Sequence, residues 1–285
     1  GRVGFSPAHL FHAVPCELRG HMAVLILSIL LVAATLWVAR PVLASGGLRL
    51  NLDHVDGRGV LGAFAAVSAA ALALGVEFAV GLLVAALIKS AGHLVGHRLV
   101  GDTEADFRLV PFPGGPVAAG STPRDDLGAF FILLMGPGLG LAPMVAAFAL
   151  GNLFAETAPG LAEALRAYAL AAGALNFVSL LPLWPLAGGR LVQLIVEARF
   201  PRISGLAAAA LASMFVGMSL TMNSLLLFLI GLVAALALIV RPPRNTPRPS
   251  LTRAQARIGF LAYFATLSAY FIAGWWVLTL LPSAF

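Results

Sequence analysis

Seven stretches of this 285-residue chain are too long and too apolar to belong in water: 22–44, 59–98, 127–150, 162–186, 203–220, 222–240 and 258–281. The first, MAVLILSILLVAATLWVARPVLA, carries Arg40 as its one charged residue. About 20 apolar residues take an α-helix across the hydrocarbon of a bilayer. In that solvent only helices and closed barrels satisfy their own backbone polar groups. The expected fold class is therefore an all-α polytopic membrane protein with about 6–7 transmembrane helices and no soluble module. Composition agrees, since 60% of residues are hydrophobic and 11% charged, whereas a soluble domain carries about a quarter charged residues.

The run 59–98 would be about 60 Å long as one helix, too much for a single upright crossing and tight for two. Gly75 is the only plausible break, so a bent crossing and a hairpin both fit. Arg190, Arg199 and Arg202 mark one loop, and Arg241, Arg244, Arg248, Arg253 and Arg257 another, two spans later. The positive-inside rule sets both in the cytoplasm. Counting spans back from them favours the bent crossing, seven spans, and a cytoplasmic position for 99–126. That segment, with its GDTEADFRLVPFPGGPVAAGSTPRDD (101–126), alternates and then breaks into Pro and Gly, the pattern of a short strand or re-entrant loop. The chain divides into an N-terminal segment with one transmembrane helix and a linker (1–75), a core (76–220) and two C-terminal transmembrane helices (221–285).

The net charge of +6 comes from arginines scattered through loops, which excludes the basic face a nucleic-acid partner needs. Cys16 is alone, so no intrachain disulfide forms. No cleavable signal peptide is expected.

Within GHLVGH (92–97), His93 and His97 share one face of a helix, because four residues advance it by slightly more than a turn. Polar side chains in a span face the protein interior or a water-filled pocket. On the pair alone, a metal site and a hydrogen-bonded interfacial pair are equally open. Further along lies LNFVSLLPLWPLAGGR (175–190), where Pro182 and Pro185 interrupt the helix and Gly188 and Gly189 allow close backbone approach.

Together these segments resemble the site-2 protease family of intramembrane zinc metalloproteases, which carries H-E-L-G-H-like and N-L-L-P-x-P-P-L-D-G-G-like motifs. HLVGH (93–97) keeps both histidines and the glycine, and SLLPLWPLAGG (179–189) keeps Leu180, Leu181, Pro182, Pro185, Leu186, Gly188 and Gly189. VPFPGGPVAAG (110–120) looks like the family's re-entrant β-loop, and LMGPGLGL (134–141) is similar to its A-G-P-x-x-N-L helix. The resemblance covers about residues 76–220 and implies a site-2-protease-like core with a re-entrant β-loop. It implies His93 and His97 as zinc ligands, and a substrate or partner cleft lined by Ser179, Pro182, Pro185, Gly188, Gly189, Gly114 and Gly115.

The departures are selective. Leu94 stands where the family has its general-base Glu, Ala187 where it has the Asp zinc ligand, and Ser179 where the proline motif begins with Asn. Peptide hydrolysis by zinc needs three protein ligands, an open position for water and a carboxylate to move the water's proton. Loss of the base alone removes about 10²–10⁴ in rate. The resemblance therefore implies an inactive pseudoprotease of the bacterial inner (plasma) membrane, with zinc weakly held or lost, that binds or scaffolds a membrane protein partner or single-pass helix. The alternative is an active intramembrane zinc metalloprotease that draws a carboxylate from elsewhere.

Of the other polar residues, Asp102, Glu104 and Asp106 are expected to be solvated surface charges. Glu77 is about 24 Å from His93 along a straight helix, too far to share a metal. Lys89 is expected to snorkel to the interface, and Asn176 either replaces the missing amide or packs helices. Tyr263, Tyr270, Trp275 and Trp276 offer a lipid or partner face in the last span, the tryptophans as an interfacial belt. A transporter using Glu77 and the histidines would carry inverted repeats, and none is visible.

Overall fold

The fold, taken from a computed structural model, is described over residues 16–44, 57–102, 105–107, 117–118, 123–240 and 249–274. Its elements are α1 (Cys16–Ala44), α2 (Gly57–Leu74), α3 (Val76–Leu99), β1 (Asp106–Phe107), β2 (Val117–Ala118), α4 (Asp126–Leu153), α5 (Pro159–Leu180), α6 (Ala187–Glu197), a 3-10 turn (Pro201–Ile203), α7 (Ser204–Met222), α8 (Leu225–Val240) and α9 (Arg253–Gly274). Among the described residues six helices are long and apolar enough to cross a membrane, one each from α1, α3, α4, α5, α7 with its preceding turn, and α9. Phe64–Leu74 and Leu227–Val240 are shorter apolar helices. The chain is an all-α, multi-pass integral membrane protein whose outward side chains, such as Trp37, Leu72, Ile239 and Ile272, are apolar and exposed.

Local chemistry sets the boundaries. The long run breaks at Gly75 (φ 96, ψ 160), a conformation that only glycine adopts without strain. Helix continues on both sides, so the run is two helices, α2 of 18 residues and α3 of 24. Asp125 caps α4 by accepting the Gly128 N–H at 2.7 Å, and Thr252 and Gln255 exchange backbone and side-chain bonds at the start of α9, a capping box. Asn223, in the left-handed conformation (φ 51, ψ 45), ends α7, as Asn can where β-branched residues cannot.

Two expectations change. The span predicted at 162–186 runs from Pro159 and stops at Leu180, because Leu181 (φ −55, ψ 140) must be extended before Pro182. The loop predicted to hold Arg190 and Arg199 contains α6, whose 11 residues are too few to register as a crossing.

Helices α3, α4 and α5 form the centre, each packed on the other two; α1 lies on α4, α9 on α5, and α7 pairs with α8. Helices approach closely in membranes where side chains are small. A Cβ on Gly92 would meet the Met135 carbonyl of α4, and one on Gly173 would sit 2.8 Å from the Ala273 carbonyl of α9. The core gathers Phe130, Phe177, Leu180, Leu183, Tyr263 and Tyr270. This corrects the last-span reading: Tyr263 and Tyr270 face inward and are buried. Their hydroxyls donate to the carbonyls of Leu180 (2.7 Å) and Pro137 (2.6 Å). Trp275 and Trp276 lie outside the described residues.

Strands β1 and β2 pair antiparallel, Asp106 with Ala118 and Phe107 with Val117, and pack on α3. They supply the strand expected within 101–126; Gly114 and Gly115 lie outside the described residues.

Candidate functional site

Helix α3 carries both histidines, and each ring is fixed through Nδ1. His93 Nδ1 lies 3.0 Å from the Ile132 carbonyl of α4; a carbonyl only accepts, so Nδ1 carries the proton and Nε2 keeps its lone pair. His97 Nδ1 lies 3.1 Å from Asp102 Oδ2, and the Asp102 N–H donates to the His97 carbonyl at 3.0 Å. Asp102 is buried, which overturns its expected place as solvated surface charge. The turn that ends α3 folds the carboxylate back over the histidine one turn earlier. An imidazole with Nδ1 on a carbonyl or carboxylate is the arrangement that orients Nε2 toward a metal.

One separated motif reaches His93. Its ring fills the space a side chain at Gly136 would need, in the LMGPGLGL segment. Helix α6 packs on α4 and α5 rather than on the histidine helix. At the junction of α5 and α6, side chains on Gly188 and Gly189 would collide with the backbone of Leu180, Leu181 and Leu183. The two glycines thus hold the start of α6 against the end of α5. Pro182 is half-buried and Pro185, after a cis Trp184–Pro185 bond, is exposed. The guanidinium of Arg190 stacks on Trp184, 5.5 Å from the ring centroid.

The positions that depart from the motifs are filled apolarly or turned inward. Leu94 is fully buried in a small cluster with Ala105, against Leu87 and Ala91. Ala187 is the first residue of α6. Ser179 is buried and donates to the Asn176 carbonyl of its own helix at 3.0 Å. Aligning LMGPGLGL on A-G-P-x-x-N-L also sets Gly140 at the motif's Asn, a departure the sequence reading passed over. A Cβ there would come within 3.1 Å of the Tyr270 hydroxyl and 3.2 Å of Asn176 Nδ2. Asn176 is buried, donates to the Ala172 carbonyl at 3.0 Å, and its Oδ1 has no partner among the described residues. Glu77 is exposed in the first turn of α3, remote from the pair as expected. Lys89 is half-buried.

These residues do not fit a catalytic zinc. Two imidazoles give two donors where three protein ligands are needed. Among the described residues no group of three or more His, Cys, Asp and Glu is arranged to hold a metal. Asp102 cannot complete the set, because it holds Nδ1, the edge of the ring opposite the metal-binding nitrogen.

A membrane-embedded helical bundle with a fixed histidine pair at its centre is the class of protein that fold and site define. No family model and no curated protein matches the chain. Among solved structures it is similar to the Site-2 Protease from Methanocaldococcus jannaschii, at 16% identity and a TM-score of 0.45, over 72% of this chain and 96% of that one.

Proposed function

We propose that the chain is a site-2-protease-like pseudoprotease of the bacterial inner membrane that binds or scaffolds a membrane protein partner, such as a single-pass helix, without cleaving it. One observation carries this reading: the LMGPGLGL segment packs against His93, while a fully buried Leu94 and Ala187 stand where the resemblance calls for the base and the third ligand. Leu94 cannot accept a proton, so a water in the site has no base. What such a site keeps is its shape, with the proline loop (181–186) exposed in part between α5 and α6, where a helix or extended segment can dock. Zinc, if held, is held by His93 and His97 alone and therefore weakly.

The test uses the full chain purified in nanodiscs. Metal analysis is expected to give well under one zinc per chain, and a panel of transmembrane peptides is expected to stay intact with or without chelator. A photo-crosslinker at Pro185 is expected to trap a single-pass membrane segment. One tightly bound zinc together with chelator-sensitive cleavage overturns the reading in favour of the active protease.

A further inference from the structure

Arg199, Arg253 and Arg257 come from two stretches far apart in sequence and meet around one open cavity of about 490 Å³. Arg199 follows the C-terminus of α6; Arg253 opens α9, and Arg257 lies one turn on. The rest of the lining is apolar: Ile195 and Ala198 from the α6 side, and Ala256, Phe260 and Leu261 from α9. The size lies within the ordinary range of small-ligand pockets, roughly 300–1,000 Å³.

Three exposed arginines line this cavity, and no acidic residue is among its lining. Among the described residues none of the three forms an ion pair; His97–Asp102 is the pair found there. Glu197, the nearest acid along α6, does not line the cavity and accepts from Gln193 Nε2 through Oε1 at 2.6 Å. Arg199 also stacks on Phe200, 5.8 Å from the ring centroid, which orients its planar fork. Arginine forks pair bidentately with phosphate oxygens, and cations gathered in a cleft raise the local concentration of anions. The ligand chemistry is thus a phosphate-bearing anion.

Position and lining decide its source. Arg253 is the first residue of a candidate membrane span, so the cavity lies at the level where α9 enters the bilayer. Phe260 and Leu261 are large, apolar and exposed, one to two turns deeper along the same helix. A soluble anion has no use for that wall, whereas a lipid seats its phosphate among the arginines and its acyl chains on the wall. We propose that this cavity binds the headgroup of an anionic phospholipid, as basic pockets between transmembrane helices do. The assignment stands independently of the histidine site.

The experiment titrates the full chain in phosphatidylcholine nanodiscs with phosphatidylglycerol and counts retained lipid by native mass spectrometry. Wild type is expected to retain phosphatidylglycerol selectively, less so as salt rises. Arg199→Gln, Arg253→Gln and Arg257→Gln are each expected to weaken retention about fivefold, and the triple variant to lose selectivity. Arg202→Gln, at an exposed arginine three residues after Arg199 that does not line the cavity, is expected to match wild type, and Phe260→Ala to weaken retention with the salt dependence intact. Equal retention of phosphatidylcholine, or wild-type behaviour of the well-folded single variants, overturns the proposal. So does full competition by millimolar inorganic phosphate, which would make the ligand a free anion.

Discussion

Asp102 closes back on His97, with Oδ2 3.1 Å from Nδ1 and both side chains largely out of solvent. This pairing makes α3 and the turn after it one polar unit inside an apolar bundle. The carboxylate fixes which nitrogen of His97 carries the proton, and the helix end fixes the carboxylate.

Removing that partner leaves a buried ring N–H unsatisfied, which costs about 1–3 kcal/mol. Asp102→Ala is expected to lower the thermal unfolding midpoint in detergent, and Asp102→Asn to lower it less, because the amide oxygen still accepts from Nδ1. Equal midpoints for wild type and Asp102→Ala would show the pairing to be energetically idle.

Gly136 exists beside His93 because the imidazole takes the place of a side chain. Gly136→Ala is expected to push the ring off the Ile132 carbonyl and to destabilise by about 1–3 kcal/mol, the usual range for overpacking. Gly188→Ala should be worse, since its obstacle is the backbone of Leu180 and Leu181 rather than a movable side chain. Thermal unfolding gives the first effect; yield of monodisperse protein gives the second. A Gly188→Ala protein as stable as wild type would refute the close contact of α5 and α6.

Tyr263 satisfies the Leu180 carbonyl where α5 ends and the helix no longer supplies a partner. Tyr263→Phe is expected to cost about 1–3 kcal/mol. Phe264→Leu, on an exposed neighbour, should stay within about 0.5 kcal/mol. Denaturation in mixed micelles compares the two, and indistinguishable losses would count against the inward role of Tyr263.

Introducing the two carboxylates that the proposed function takes to be lost tests the site in the other direction. Leu94→Glu alone places a carboxylate in a fully buried apolar pocket and is expected to destabilise the protein. Ala187→Asp is expected to tighten zinc at least tenfold, read by competition with a chromophoric chelator, and to make the unfolding midpoint rise with zinc concentration. No change in zinc affinity would show that position 187 does not face the histidines.

Much of the architecture was legible from residue chemistry alone. Runs of apolar residues dictated helices because a bilayer offers the backbone no other partners. Gly75 announced its break, since φ 96 suits no other residue. Pro182 and Pro185 marked an interruption, though the expected span ran on to 186, and the spacing of His93 and His97 put them on one face. Helix α6 escaped because 11 residues leave no crossing-length signal, and its first residues looked like a helix exit.

What a one-dimensional reading could not supply was the set of neighbours. Asp102 looked like loop charge until the end of α3 turned it onto His97; burial is a property of the packed fold, not of the residue. Tyr263 and Tyr270 looked like a lipid face until α9 packed on α5. Arg199 and Arg257 belonged to separate loops until α6 and α9 brought them to one cavity. The sequence by itself determined most of the helices and the break at Gly75, because these follow from local backbone and side-chain chemistry. Only the tertiary structure decided which charges and carbonyls meet, because hydrogen bonds and ion pairs fall off within a few ångströms, and chain distance says nothing of those.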